Sequence, residues 1–126
     1  MEKILLVEDD EISALVISTV LSEAGYEVVC AAQYEKAVEI GTTMRPELLI
    51  SDWRLGDGHT GNEVARELTR HIPNLGVIFI SGVDAVEISI ECRDLRVLAI
   101  LAKPCDFEEV VCLVQKFFPR EQTRSN

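Results

Sequence analysis

Residues 48–61 read LLISDWRLGDGHTG: the apolar run Leu48 to Ser51 gives out at Asp52 into a polar, glycine-rich stretch from Arg54 to Gly61. A carboxylate at the mouth of a buried strand is placed to react or to bind a cation. Two other runs end in the same way. Ile4, Leu5, Leu6 and Val7 lead into Glu8, Asp9 and Asp10, and Val97 to Ala102 leads into Lys103 and Pro104. In an open parallel sheet the ligand crevice lies outside the carboxyl ends of the strands, so these three charged ends are expected to meet at one site.

Helical stretches separate the strands. From Ile12 to Ala24, the residues Ile12, Leu15, Val16, Thr19 and Val20 recur at helical spacing and are expected to face the core, with Gly25 as the stop. Tyr26 to Ala32, rich in valine, reads as a second strand. Tyr34 to Met44 reads as a helix with Ala37, Val38 and Ile40 inward, ended by Arg45-Pro46 ahead of the strand that carries Asp52. Gly61 to Arg70 returns to helical spacing through Val64, Ala65 and Leu68, and Pro73-Asn74 turns the chain into the strand Val77 to Ile80. Phe107 to Phe118 closes the pattern as a helix, with Val110, Val111, Leu113, Val114 and Phe117 inward. Five βα units with near-continuous apolar strands predict a parallel sheet covered on both faces by right-handed crossovers, a three-layer α/β sandwich.

One segment runs against its expected role. Between Asp84 and Cys92, the β-branched Val86, Ile88 and Ile90 alternate with period two, which suits a strand, whereas the fold needs a crossover helix there. Tertiary context is expected to override local preference and to leave a fourth helix that is short, irregular or mobile.

The bulk composition narrows the function classes. A chain of 126 residues carries one domain, expected over 1–118, with a short polar tail over 119–126 that is expected to fray. Hydrophobic residues make up 48% of the chain, yet no apolar run approaches the length of a membrane span. Met1-Glu2-Lys3 leads straight into the first strand without the features of a signal peptide. The expectation is a soluble, cytoplasmic protein with its true N-terminus at Met1. A net charge of −10 opposes attraction to nucleic acid or anionic membrane, so any nucleic-acid role has to come through another protein. Cys30, Cys92, Cys105 and Cys112 form no C-x-x-C pair and no zinc-ligand spacing with histidine, and are expected to be reduced, half-buried thiols.

An acidic pair after the first strand, an Asp after the third, a Ser after the fourth and Lys-Pro after the fifth, in that order on successive strand ends, resemble the receiver domain of two-component response regulators. The resemblance runs from Lys3 to about Phe118. It implies a CheY-like, flavodoxin-like (βα)5 fold with the parallel five-stranded sheet in the order 2-1-3-4-5. It makes Asp52 the phosphoacceptor, whose carboxylate takes a phosphoryl group from a phosphohistidine on a sensor histidine kinase or histidine phosphotransfer protein. Three carboxylates within ~5 Å repel by a few kcal/mol per pair at an effective dielectric of about 20, a conflict that a divalent cation resolves. Oxygen-only ligands and a phosphate substrate favour Mg²⁺, with Mn²⁺ tolerated. By resemblance, Asp9 and Asp52 bind the ion directly, Glu8 acts mainly through water, and the backbone carbonyl of Arg54 supplies another oxygen. Asp10 lies one position beyond the pair and is equally suited to capping a helix that begins near Glu11.

The resemblance also assigns Lys103 the role of pairing with Asp52 and then with the phosphoryl group, from a cis Lys-Pro bond. Ser81 becomes the hydroxyl that hydrogen-bonds the phosphoryl group and draws its loop inward, with Gly82 leaving room. Arg54 and Val83 stand where the family tunes access of hydrolytic water. Two positions depart from the family pattern: Ile100 replaces the aromatic residue commonly found three before the lysine, and Cys105 stands where Phe is frequent. Trp53 is expected to point away from the acceptor by strand alternation. His59 and His71 read as solvated. The implied protein is not an enzyme but a phosphoacceptor signalling domain, a phosphorylation-dependent switch that assists its own phosphoryl transfer and dephosphorylation. Its output surface would be the fourth helix, fifth strand and fifth helix, contacting an unknown downstream protein in trans, with no direct nucleic acid or membrane contact. The alternatives are a degenerate receiver acting as a constitutive interaction module and a receiver fragment of a hybrid histidine kinase. A haloacid-dehalogenase-type phosphatase wants a second Asp where this chain has Arg54.

Overall fold

The computed structural model describes residues 2–119. Strands and helices alternate strictly: β1 (Lys3–Val7), α1 (Glu11–Glu23), β2 (Glu27–Ala31), α2 (Tyr34–Met44), β3 (Leu48–Asp52), α3 (Gly61–His71), β4 (Gly76–Ser81), α4 (Ala85–Glu91), β5 (Val97–Ala102) and α5 (Phe107–Phe117). All the strands pair in parallel, in the order β2-β1-β3-β4-β5. The sandwich and strand order expected from the sequence are therefore present. Apart from Pro119, the polar tail lies outside the described residues. Among those residues no helix is long and apolar enough to cross a membrane.

Period-two alternation sorts the strand side chains into two cores. Leu5, Val7, Leu49, Val77 and Phe79 pack on one side with Ala37, Val64, Ala65, Leu68 and Ile88 from α2, α3 and α4. Ile4, Leu6, Leu48, Ile50, Ile78 and Ile80 pack on the other with Ile17 and Leu21 from α1 and Val110 and Val114 from α5. Burial on both faces explains why the central strands read as continuous apolar runs. In β5 the register slips: Val97 pairs with Val77 but Ala99 pairs with Ile78, so Leu98 is left over as a bulge.

The buried face of α1 differs from the expected one. Ile17 and Leu21 are buried, whereas Ile12 is 74% exposed and Leu15 66% exposed. The helix is apolar around much of its circumference, so periodicity alone selects no face, and the fit against β1 and α5 decides. On α5, Val110 and Val114 are buried as expected, but Phe117 is exposed.

Helix α4 is short, at seven residues, and regular enough to carry its own cap: Asp84 accepts a hydrogen bond from the Val86 N–H at 2.8 Å. Its period-two pattern resolves in helical terms. Val86 and Ile90, four apart, share the solvent side, while Ile88 and Cys92 share the buried side. All four cysteines are free, with Cys92 buried and Cys105 partly buried, but Cys30 on the edge strand and Cys112 on the outside of α5 are exposed, against expectation.

Truncation separates the two faces of α1. Ile17→Ala is expected to cost about 2–5 kcal/mol in urea unfolding and Leu15→Ala less than about 0.5 kcal/mol, the reverse of what the sequence periodicity implies.

Candidate functional site

Adjacent strands bring the acidic residues together. In β1 and β3, Ile4 faces Leu48 and Val7 faces Ser51, so the residues that follow, Glu8 with Asp9 and Asp52, leave the sheet side by side. One oxygen from each of Glu8, Asp9 and Asp52 lies within 4.8 Å of the others. Asp52 is 2% exposed and Glu8 7%, while Asp9 is open to solvent. Asp10 turns away from this cluster: its Oδ2 accepts the Ser13 N–H at 2.9 Å and caps α1. The Ser13 side chain, and then its N–H, hold the Asp10 carboxyl below its ordinary value.

Lys103 arrives from the far side of β4. The Lys103–Pro104 peptide is cis, and the Lys103 N–H donates to the Ser81 carbonyl at 2.8 Å. Its Nζ stands 2.9 Å from Asp52 Oδ1. The contact is a charge pair rather than a well-directed hydrogen bond, and Asp52 Oδ1 remains a buried oxygen without a hydrogen-bond donor. Burial pulls the Lys103 ammonium down, but Asp52, Glu8 and Asp9 outweigh it and the net shift is upward.

Glu8 bears the cost of the crowding. Burial pushes its carboxyl up to about 8, and Asp52 adds to the rise against the opposing Asp10 N–H and Lys103 charge. One ammonium faces three carboxylates, so the cluster either keeps a proton or takes up positive charge. Oxygen-only donors and an under-bonded buried oxygen fit a hard divalent cation.

Beside the cluster is a hollow of about 280 Å³ bordered by Trp53, Arg54, Ser81, Gly82, Val83 and Lys103. Ser81 is buried at the end of β4, and its Oγ accepts the Val83 N–H at 2.9 Å. A Cβ at Gly82 would meet nothing within 4 Å, so the space there is open whatever the residue. Arg54 is exposed, makes no ion pair among the described residues, and begins a hairpin through a bridge to Thr60. Trp53 points away from Asp52, as alternation requires, and its ring meets Phe79 edge-on with centroids 5.1 Å apart. Ile100 is partly buried among the α2–α4 side chains and faces Phe79 in the sheet.

Some contributors are invisible in the sequence pattern. Gly61 opens α3 directly against Asp52: an added Cβ would overlap the backbone oxygen of that residue. Ser51 Oγ donates to that same oxygen at 2.8 Å. His59, expected to be solvated, is instead stacked on Tyr34 with centroids 4.4 Å apart, and its Nδ1 is 3.2 Å from Glu63 Oε2. His71 is exposed in the last turn of α3 near Glu67. The glycine motif in residues 56–61 was the available signal for Gly61, but its spacing does not say which glycine meets backbone.

The chain is similar to known proteins along most of its length. The profile of a family described as the response regulator receiver domain matches residues 4–115. The chain is similar to the sporulation initiation phosphotransferase F of Bacillus subtilis, 30% identical over 118 residues that cover 94% of each. It is also similar to the response regulator receiver protein CpdR of Brucella abortus, 31% identical over 120 residues covering 92% of this chain and 96% of that one. Other curated relatives are longer, and the chain spans about half of their length. Among solved structures, the non-phosphorylated HemR receiver domain from Leptospira biflexa superimposes with a TM-score of 0.85 at 22% identity, over 99% of this chain and 100% of that one, a likeness of fold.

Two outcomes follow from the geometry. Gly61→Ala is expected to destabilise the protein by about 1–3 kcal/mol in urea unfolding, because the new methyl group meets backbone rather than a movable side chain. Glu8 sets a pH dependence in chelated buffer. Its carboxyl binds a proton more tightly folded, near 8, than at its ordinary value of 4.5, so its stabilising contribution is complete below 4.5 and lost as pH rises through 8. The melting temperature of the metal-free protein should therefore fall between about pH 5 and about pH 9, and Glu8→Gln should flatten the fall.

Proposed function

The chain belongs to the response regulator receiver family, and from that premise we propose that Asp52 is the phosphoacceptor of a phosphorylation-dependent switch working in the cytoplasm. What supports the reading is the meeting of Glu8, Asp9 and Asp52 within 4.8 Å, with Lys103 2.9 Å from the acceptor oxygen. The donor is a phosphohistidine on a sensor histidine kinase or histidine phosphotransfer protein. An Asp52 oxygen forms the new O–P bond as the P–N bond of the donor breaks, leaving an acyl phosphate on the chain and a free imidazole on the donor.

Glu8, Asp9, Asp52 and the backbone carbonyl of Arg54 would hold Mg²⁺, with Mn²⁺ tolerated. When bound, the ion supplies charge neutralisation to the transferring phosphoryl group. The remaining work falls to side chains already in place. Lys103 exchanges its pairing with Asp52 for a phosphoryl oxygen without crossing the site. The Ser81 hydroxyl now accepts from Val83 N–H, and turning it to donate to the phosphoryl group sacrifices that bond and pulls residues 81–83 inward. Arg54 and Val83, on the rim of the same hollow, set how readily water reaches the acyl phosphate. The chain thus assists its own phosphorylation and dephosphorylation.

Two surfaces suit the two partners. Ile12 and Leu15 are exposed on α1, Leu15 bordering one hollow with Glu8 and Asp9, and give the phosphodonor an apolar footing. On the opposite flank, a groove of about 500 Å³ between α4 and β5 is lined in part by Ala85, Ser89, Leu95 and Ile100, and Val86 and Ile90 stand exposed nearby. A downstream protein reads this side. Ile100 transmits the movement of residues 81–83 by repacking against Phe79 and α4, without the ring rotation an aromatic residue would give.

The reading is tested through Trp53. Mg²⁺ should change its fluorescence, beryllium fluoride or acetyl phosphate should change it again, and a phosphoryl adduct should appear by mass spectrometry on the wild type and not on Asp52→Ala. Saturating Mg²⁺ should also raise the melting temperature more at alkaline than at acidic pH, since it replaces the proton on Glu8. Silence to Mg²⁺ with no adduct dependent on Asp52 would favour a constitutive interaction module.

A further inference from the structure

The loop from Arg54 to Thr60 is held in place from outside itself. Internally it is a hairpin, closed by the Arg54–Thr60 bridge and by the Leu55 N–H donating to the His59 carbonyl at 2.9 Å. Its tip, Gly56-Asp57-Gly58, lies between two other parts of the molecule. On one side is Asp9: a Cβ on Gly56 would fall 2.6 Å from Asp9 Oδ2, so the backbone there passes directly over that carboxylate. On the other side is the start of α2.

Helix α2 lacks a cap of its own, because its N-cap residue, Gln33, makes no side-chain cap bond. Asp57, 23 residues further along the chain, supplies one: its Oδ2 accepts the Tyr34 N–H at 2.8 Å, and its Oδ1 accepts the His59 N–H at 3.0 Å. A carboxylate on orphan N–H groups at a helix start meets both their hydrogen-bonding need and the helix dipole. These two N–H groups hold the Asp57 carboxyl below the usual range. The Tyr34 ring stacks on His59, 20° from parallel, and His59 reaches Glu63, which completes the capping box of α3 with Thr60. The loop tip is therefore tied to the N-termini of both α2 and α3.

We propose that Asp57 is a positioning residue for the cation site: by capping α2 it holds the Arg54–Thr60 hairpin against Asp9 and keeps the cation-binding oxygens in register. The inference rests on the reading of Glu8, Asp9, Asp52 and the Arg54 carbonyl as that site. Without the cap, the tip keeps its internal hairpin bonds and the Tyr34–His59 stack but loses its hydrogen bond to the start of α2, and ordering it becomes part of what cation binding must accomplish. The effect falls on affinity for the ion and not on the chemistry at Asp52.

The experiment is a Mg²⁺ titration of Trp53 fluorescence on wild type, Asp57→Ala and Asp57→Asn, with circular dichroism and melting temperature recorded in chelator. Asp57→Ala is expected to weaken Mg²⁺ binding by about tenfold. It should keep its helical content and reach the wild-type beryllium fluoride signal once Mg²⁺ saturates. Asp57→Asn, which retains one acceptor oxygen, should fall between the two. A Mg²⁺ affinity for Asp57→Ala within about twofold of wild type overturns the inference and leaves the phosphoacceptor reading intact. Loss of the beryllium fluoride signal at saturating Mg²⁺, together with a lowered melting temperature, also overturns it, by showing a general structural role. A wild type that ignores Mg²⁺ overturns the phosphoacceptor reading and this inference with it.

Discussion

The site depends on a repulsion that the fold enforces. Glu8, Asp9 and Asp52 are close because β1 and β3 are hydrogen-bonded neighbours, and those strands are neighbours because two apolar cores sandwich them. At ~5 Å and an effective dielectric of about 20, each pair of ionised carboxylates costs a few kcal/mol, too little to part the strands and enough to shift protons. Glu8 shows the effect most, its carboxyl pushed up to about 8 first by burial and then by Asp52. The sheet thus maintains a standing deficit of positive charge at the carboxyl ends of its central strands.

The strand order explains how the deficit is partly met. β5 is two places from β3, with β4 between them, so Lys103 has to reach across the end of β4 to touch Asp52. It crosses beside Ser81 and Gly82, and the Lys103 backbone is itself hydrogen-bonded to Ser81. The end of β4 therefore does two jobs: Ser81 anchors the Lys103 backbone, and with Gly82 it lines the hollow beside Asp52. Gly61 makes the same demand from below, where the start of α3 abuts the Asp52 carbonyl.

Much of this was legible in the sequence because each strand is a short apolar run that stops at a charge. Asp52, Lys103, Glu8 and Asp9 each announce a strand end, and the direction of Trp53 follows from alternation. The inward face of α1 was not legible, since a helix apolar on several sides carries no dominant period, and Ile12 and Leu15 proved to face solvent. The alternation of Val86, Ile88 and Ile90 was ambiguous between strand and helix until burial showed which of them shared a side. The Asp57–Tyr34 cap leaves no sequence trace at all: its donor is a backbone N–H that every residue but proline offers, and its acceptor is remote in the chain. Pairings through the main chain across long separations lie beyond pattern reading for this reason.

The bulge at Leu98 reaches further than local geometry. β5 is one of the two free edges of the sheet, where unpaired main-chain groups would otherwise invite a foreign strand. Skipping one residue breaks the even spacing of those groups and adds twist, so an incoming strand loses register partway along. Recruitment by strand addition is thereby discouraged at that edge. On that side of the molecule, helix faces and loop ends are left as the surfaces open to contact.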